Sequence, residues 1–116
     1  FGCNVAGSKL VVVLGHSKCG ALKGGLDSAQ IEDLGMDNLN HLIGHFNPII
    51  NEIIEDGEER SSSNTDLLER LNHHNVKNAI DEIRKQSSTL RNLENEGKIK
   101  IIGANYDVET GVVSWL

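Results

Sequence analysis

Lys9-Leu10-Val11-Val12-Val13-Leu14-Gly15-His16-Ser17-Lys18-Cys19-Gly20-Ala21 is the stretch on which the fold turns. Its apolar, β-branched run shows no alternation and ends in glycine, so it reads as a buried parallel strand covered on both faces. The polar residues that follow stand at the carboxyl end of that strand, where open α/β sheets place their ligand sites. Two of them, His16 and Cys19, are of the side-chain types zinc prefers. A spacing of three lets an imidazole and a thiolate converge on one ion as the chain turns from strand into helix. Gly15 and Gly20 remove side-chain bulk on either side of the turn. Taken alone, the pair is served equally well by a small buried cysteine beside a hydrogen-bonded histidine.

Two phosphate-binding patterns fail on the same stretch. Gly15 and Gly20 have the glycine spacing of G-x-x-x-x-G-K-[ST], but Ala21-Leu22 stand where the lysine and hydroxyl must be, and G-x-G-x-x-G is absent. Composition narrows the class further. With 38% hydrophobic and 24% charged residues in 116, the chain is expected to be one soluble α/β domain spanning residues 1–116. Eleven Lys and Arg against 17 Asp and Glu give a net charge of −6, which repels phosphate backbones, and 3% aromatic residues provide no stacking platform, so nucleic acid is not an expected partner. No apolar run approaches the roughly 20 residues of a membrane-spanning helix. Two cysteines make no disulfide framework, and a cytoplasmic, reducing location follows as the simpler expectation. A start at Phe1 rather than Met implies that the native N-terminus lies elsewhere.

Outward from the first strand, Ala21-Leu22-Lys23 should open a short helix that Gly24-Gly25 stops, with an irregular connection to Gly35. Leu39, Leu42, Ile43 and Phe46, then Ile49, Ile50, Ile53 and Ile54, predict two short helices joined at Pro48. The polar run Glu55 to Ser63 reads as an exposed loop. Thr65 or Asn64 should cap a long helix with Leu68, Leu71, Val76, Ala79, Ile80 and Ile83 as its core stripe. Ser88 should cap a shorter helix closed by Gly97. Lys98 to Tyr106 reads as a second buried strand, and Asp107 to Gly111 turns the chain into a terminal antiparallel strand. The expected architecture is a mostly parallel sheet flanked by helices, with a C-terminal hairpin strand.

Val12 to Ala21, with its Gly-His-x-x-Cys-Gly core, resembles the second signature of the β-carbonic anhydrases. The preceding Phe1 to Lys9 resembles the helix end that leads into that strand. The long helix with Asn75-Val76, and Gly97 to Asp107 with the Thr110-Gly111 turn, resemble the family's C-terminal half. The resemblance implies a partial β-carbonic anhydrase fold in which His16 and Cys19 are two of the three protein ligands of a catalytic zinc. It also implies reversible hydration of carbon dioxide to bicarbonate, through a metal-activated water, in a homodimer or higher homo-oligomer. The family's first signature, Cys-x-Asp-x-Arg, carries the third ligand and an Asp-Arg pair, and no such pattern occurs in this sequence. The expectation is therefore a chain weak or inactive on its own. Hydrolysis of carbonyl sulfide or carbon disulfide on the same scaffold, and a non-catalytic assembly domain, are the alternatives.

The remaining candidates are weaker. Cys3, followed by Asn4-Val5-Ala6, does not fit the missing signature and reads as a packing residue. His41 and His45 have metal-ligand spacing on a helix but read as solvated. His73 and His74 are neighbours that point in different directions, hence surface residues. Tyr106 resembles a position that in some family members belongs to a bicarbonate pocket, but reads as core or hairpin packing. Asp27, Glu32 and Asp33 have no spacing that selects a catalytic pair.

Overall fold

The computed structural model describes residues 1–28 and 35–116. The elements run β1 (Leu10–His16), α1 (Gly20–Asp27), α2 (Asp37–Gly44), α3 (Asn47–Ile53), α4 (Thr65–Gln86), α5 (Ser88–Asn95), β2 (Lys100–Tyr106) and β3 (Val113–Trp115). They fall into two compact units, Phe1–Gly15 with Val76–Leu116, and His16–Asn75. The α/β class and the C-terminal hairpin are as the sequence predicts.

The first unit is a three-stranded sheet in the order β1-β2-β3. The amide of Lys100 donates to the carbonyl of Lys9 (3.0 Å), so β1 and β2 start from the same edge. The sheet is thus mixed, because β2 and β3 are antiparallel, with Ala104 opposite Trp115 and Tyr106 opposite Val113. Ile101, Gly103 and Ala104 of β2 are buried. A side chain at Gly103 would place its Cβ 2.8 Å from Val76 Cγ1, so the missing Cβ lets α4 press directly onto the strand. The hairpin turn is held by Asp107, whose Oδ1 accepts from the amides of Glu109 (2.8 Å) and Thr110 (3.1 Å). Tyr106 is more than a third exposed, its hydroxyl lying toward Gly111. Cys3 sits half-buried in a helical turn that closes through the Val5 amide on the Phe1 carbonyl.

Two expectations for this unit need correction. β1 is not covered on both faces: Leu10, Val12 and Leu14 alternate as exposed residues along it. A β-branched run records how well a residue suits a pleated strand, but not how many layers cover that strand. The cap of α5 is Ser87 rather than Ser88, with Ser87 Oγ accepting from the Leu90 amide (3.3 Å). Gly97 closes this helix as expected, at φ 69°, while the Lys98 amide bonds back to the Leu93 carbonyl. Arg84 on α4 grips Glu94 on α5 with two 2.8 Å hydrogen bonds. That guanidinium holds the Glu94 carboxyl below the ordinary glutamate range.

The second unit is helical, built around Leu22, Leu26, Phe46, Ile49, Ile50, Ile53, Leu67 and Leu71. Gly24-Gly25 do not stop α1, which continues through both to Asp27. Their role is close approach: an added Cβ would lie 3.3 Å from Ile43 Cδ1 at Gly24, and 3.0 Å from Phe46 Cδ2 at Gly25. Pro48 opens α3 as predicted, its fixed φ suiting a first turn. Asn64 is the cap of α4, its Oδ1 accepting from the Leu67 amide (3.1 Å). Leu67, absent from the predicted stripe, is fully buried with Leu71, whereas Leu68 is only partly so.

The Glu55 to Ser63 segment is not simply an exposed loop. Arg60 reaches into the carboxyl end of α1, donating through Nη2 to the Gly25 carbonyl (3.0 Å) and through Nε to that of Leu26 (3.2 Å). Its Nη2 also meets Ser28 Oγ (3.1 Å) and Asn47 Oδ1 (2.6 Å). Last-turn carbonyls have no partner within the helix, and a guanidinium is well shaped to supply one. Beside it, the Ser62 amide donates to Asp27 Oδ1 (2.7 Å). Glu58 is tied to Arg70 at 2.6 Å.

Candidate metal centre

Strand β1 ends at His16, and α1 begins immediately after Cys19. The two residues between must reverse a strand into a helix, and Lys18 does so with φ 59°, the left-handed region, where few non-glycine residues stand. The turn's handedness therefore rests on Lys18, not on the flanking glycines. A Cβ at Gly20 would meet no atom within 4 Å, so on that side the turn faces open space.

The imidazole of His16 is exposed, and its Nδ1 lies 2.9 Å from the Ser17 carbonyl oxygen. A carbonyl only accepts, so the hydrogen bond requires the proton on Nδ1. In the neutral ring this leaves Nε2 unprotonated with its lone pair available, the state a metal ligand needs. Cys19 is a free, half-buried thiol at the N-cap of α1. Its sulfur makes no capping hydrogen bond, and it packs against the edge of the helical core. This donor set, one imidazole nitrogen and one sulfur, suits zinc. It stops at two: among the described residues no group of three or more His, Cys, Asp or Glu side chains gathers to hold a metal ion.

The other candidates lie apart from this chemistry. Asp27 is spent on the Ser62 amide, and the hydrogen bonds from Ser62 hold its carboxyl below the ordinary aspartate range. Glu32 and Asp33, with the connection predicted up to Gly35, lie outside the described residues. His41, His45 and His74 are exposed, and His73 is half-buried on α4. Sequence reasoning missed Arg60. No local pattern marks it, because its four acceptors are 13 to 35 positions away in the chain.

A strand ending in Gly-His-x-x-Cys-Gly, with helices after it and a closing hairpin, defines a class, and comparison with known proteins agrees. The carbonic anhydrase family model matches residues 1–113, and the chain belongs to that family, in its β class. Solved structures share the fold. The β-carbonic anhydrase CcaA superposes with a TM-score of 0.72 at 22% identity, over 99% of this chain and 53% of its own. The β-carbonic anhydrase CafD of the filamentous fungus Aspergillus fumigatus gives 0.61 at 18% identity in its wild-type form, over 99% of this chain and 61% of its own. A cysteine-to-alanine mutant of CafD gives 0.62 at the same identity. The chain thus spans between half and two thirds of the length of these structures. No curated protein sequence matches it.

Proposed function

We propose that this chain carries part of the zinc centre of an enzyme that interconverts carbon dioxide and bicarbonate, with His16 and Cys19 as its contribution. The observation that carries this reading is the His16–Cys19 turn: a tautomer that leaves Nε2 unprotonated and a sulfur not used for capping, three residues apart in a β-carbonic anhydrase chain. Zinc, when bound, supplies Lewis acidity that activates water near neutral pH. The residues of this chain do the holding. His16 presents Nε2 because Ser17 fixes the proton on Nδ1, and Cys19 presents sulfur because α1 is anchored by Leu22 and Leu26. The open space beside Gly20 leaves room for a small substrate.

With two such donors among the described residues, zinc would be held less firmly than by three, so this chain by itself is expected to bind zinc weakly and turn over little. The same shortfall supports a second reading, an assembly domain without catalysis. A homo-oligomer belongs to the proposal too, supported by exposed apolar residues on β1 (Leu10, Val12, Leu14) and α2 (Leu39, Leu42). A cytoplasmic setting accords with two cysteines that are both free. No helix among the described residues is long and apolar enough to cross a membrane.

The test is metal content of the purified chain by elemental analysis, with carbon dioxide hydration followed in the same sample. Bound zinc that disappears in His16→Asn and in Cys19→Ser supports the centre. Zinc retained in both variants sinks it, and zinc-free protein that still hydrates carbon dioxide sinks the mechanism. Carbonyl sulfide and carbon disulfide, assayed alongside, separate the related hydrolase chemistries.

A further inference from the structure

A second pair of donors lies on α2. His41 is in the last turn of that helix and His45 follows it, still with helical dihedrals (φ −60°, ψ −27°). The His45 amide donates to the His41 carbonyl at 3.2 Å, so the helical turn between them is closed. Residues four apart in such a turn share one face, one above the other. Both imidazoles are exposed, so an ion could reach them without burying charge, and Gly44 beside them adds no side chain. Asp37, one turn earlier on the same line, adds negative charge to that face.

We propose that His41 and His45 form a surface chelate for a divalent transition-metal ion of the nickel, copper and zinc group, in addition to the His16–Cys19 pair. Imidazole suits these ions, and affinity within the group follows the order nickel below copper, with zinc weaker than copper. Two histidines bind one ion because ligand bonds are only about 2.0–2.1 Å long, while a helical turn rises about 5.4 Å. Adjacent turns can be bridged, but Asp37 and His45, two turns apart, cannot share an ion. Water fills the remaining positions, which agrees with the absence of a three-donor cage among the described residues. Chelation, rather than either histidine, supplies the affinity: tethering two donors strengthens binding by about 10²-fold or more over one.

The test is nickel titration by calorimetry of untagged chain at about pH 8. Nickel avoids the thiol oxidation that copper would bring. A background carrying His16→Asn and Cys19→Ser removes the donors of the β1–α1 turn, and serine is itself a good helix cap. In that background one nickel site is expected to remain. His41→Asn and His45→Asn should each weaken it about 100-fold, with the helical circular dichroism unchanged, and His74→Asn should not affect it. Nickel binding that vanishes with His16→Asn and Cys19→Ser would assign the ion to the turn and overturn the proposal. So would binding indifferent to His45→Asn, or no binding in the parent chain.

Discussion

Adjacent glycines in α1 allow one substitution to be read twice with opposite outcomes. Gly24→Ala and Gly25→Ala each replace a poor helix former with the best one, a gain of about 1 kcal/mol. What differs is the neighbour. At Gly24 the new methyl meets Ile43 Cδ1 at 3.3 Å and Cγ1 at 3.5 Å, the end of a side chain that can yield a few tenths of an ångström. At Gly25 it meets Phe46 at three atoms, Cδ2 at 3.0 Å, Cβ at 3.2 Å and Cγ at 3.4 Å, and Phe46 is locked in the core. Overpacking of that kind costs about 1–3 kcal/mol. Gly24→Ala should therefore be neutral or stabilising by up to about 1 kcal/mol, and Gly25→Ala should be destabilising by roughly 0–2 kcal/mol. Since the propensity gain is common to both, the gap between the variants isolates packing, at about 1–3 kcal/mol. Urea denaturation followed by circular dichroism measures it as a difference in midpoint at constant slope. Equal midpoints, or Gly25→Ala the more stable of the two, would refute the claim that glycine is there to admit Phe46.

Arg60→Ala should cost roughly 1–3 kcal/mol, because it strips a partner from the Leu26 carbonyl and from Asn47 and leaves the Gly25 carbonyl with the Ser28 hydroxyl alone. Arg60→Lys should restore only part of this, a lysine lacking the planar fork, and the same urea titration reads both. Acid should destabilise the chain through three carboxylates, Asp27, Glu58 and Glu94, each held below its ordinary range, first of all by its hydrogen bonds to Ser62, Arg70 and Arg84 respectively. The sign follows from the depression. The unfolded chain takes up protons first, so the contribution is complete above the ordinary values of 3.8 for Asp and 4.5 for Glu, and is lost as pH falls through the lower folded values. Stability measured against pH should fall from about pH 4.5 downward, and Glu94→Gln should flatten the fall. An unchanged slope in that variant would count against the Arg84 pairing.

What could be read in the sequence was local. Gly-His-x-x-Cys-Gly after an apolar run located the strand end, and with it His16 and Cys19. Asn47-Pro48 divided two helices, and Gly97 ended a third, because proline and glycine impose backbone conformations wherever they stand. The failures needed information from elsewhere in the chain. Gly24-Gly25 look the same whether they break a helix or let Phe46 in, and only the position of Phe46 decides. Val11 to Leu14 look the same whether one face of the strand is covered or two. Leu67 was missed because its burial depends on where α1 and α3 lie. At the candidate site, the residue types were legible, while the proton position on His16 was set by a carbonyl one residue away, which a pattern of side chains does not contain.

The anchoring of residues 58–62 bears on how this protein tolerates change in length. Connections without regular structure usually accept insertions and deletions with little penalty. Here Arg60 and the Ser62 amide, two residues apart, dock on the same helix end, so the distance between them is fixed to the residue. Adding one amino acid between them would force a choice between the guanidinium and the amide. The segment thus acts as a measured spacer, and drift in its length should be confined to positions outside that interval.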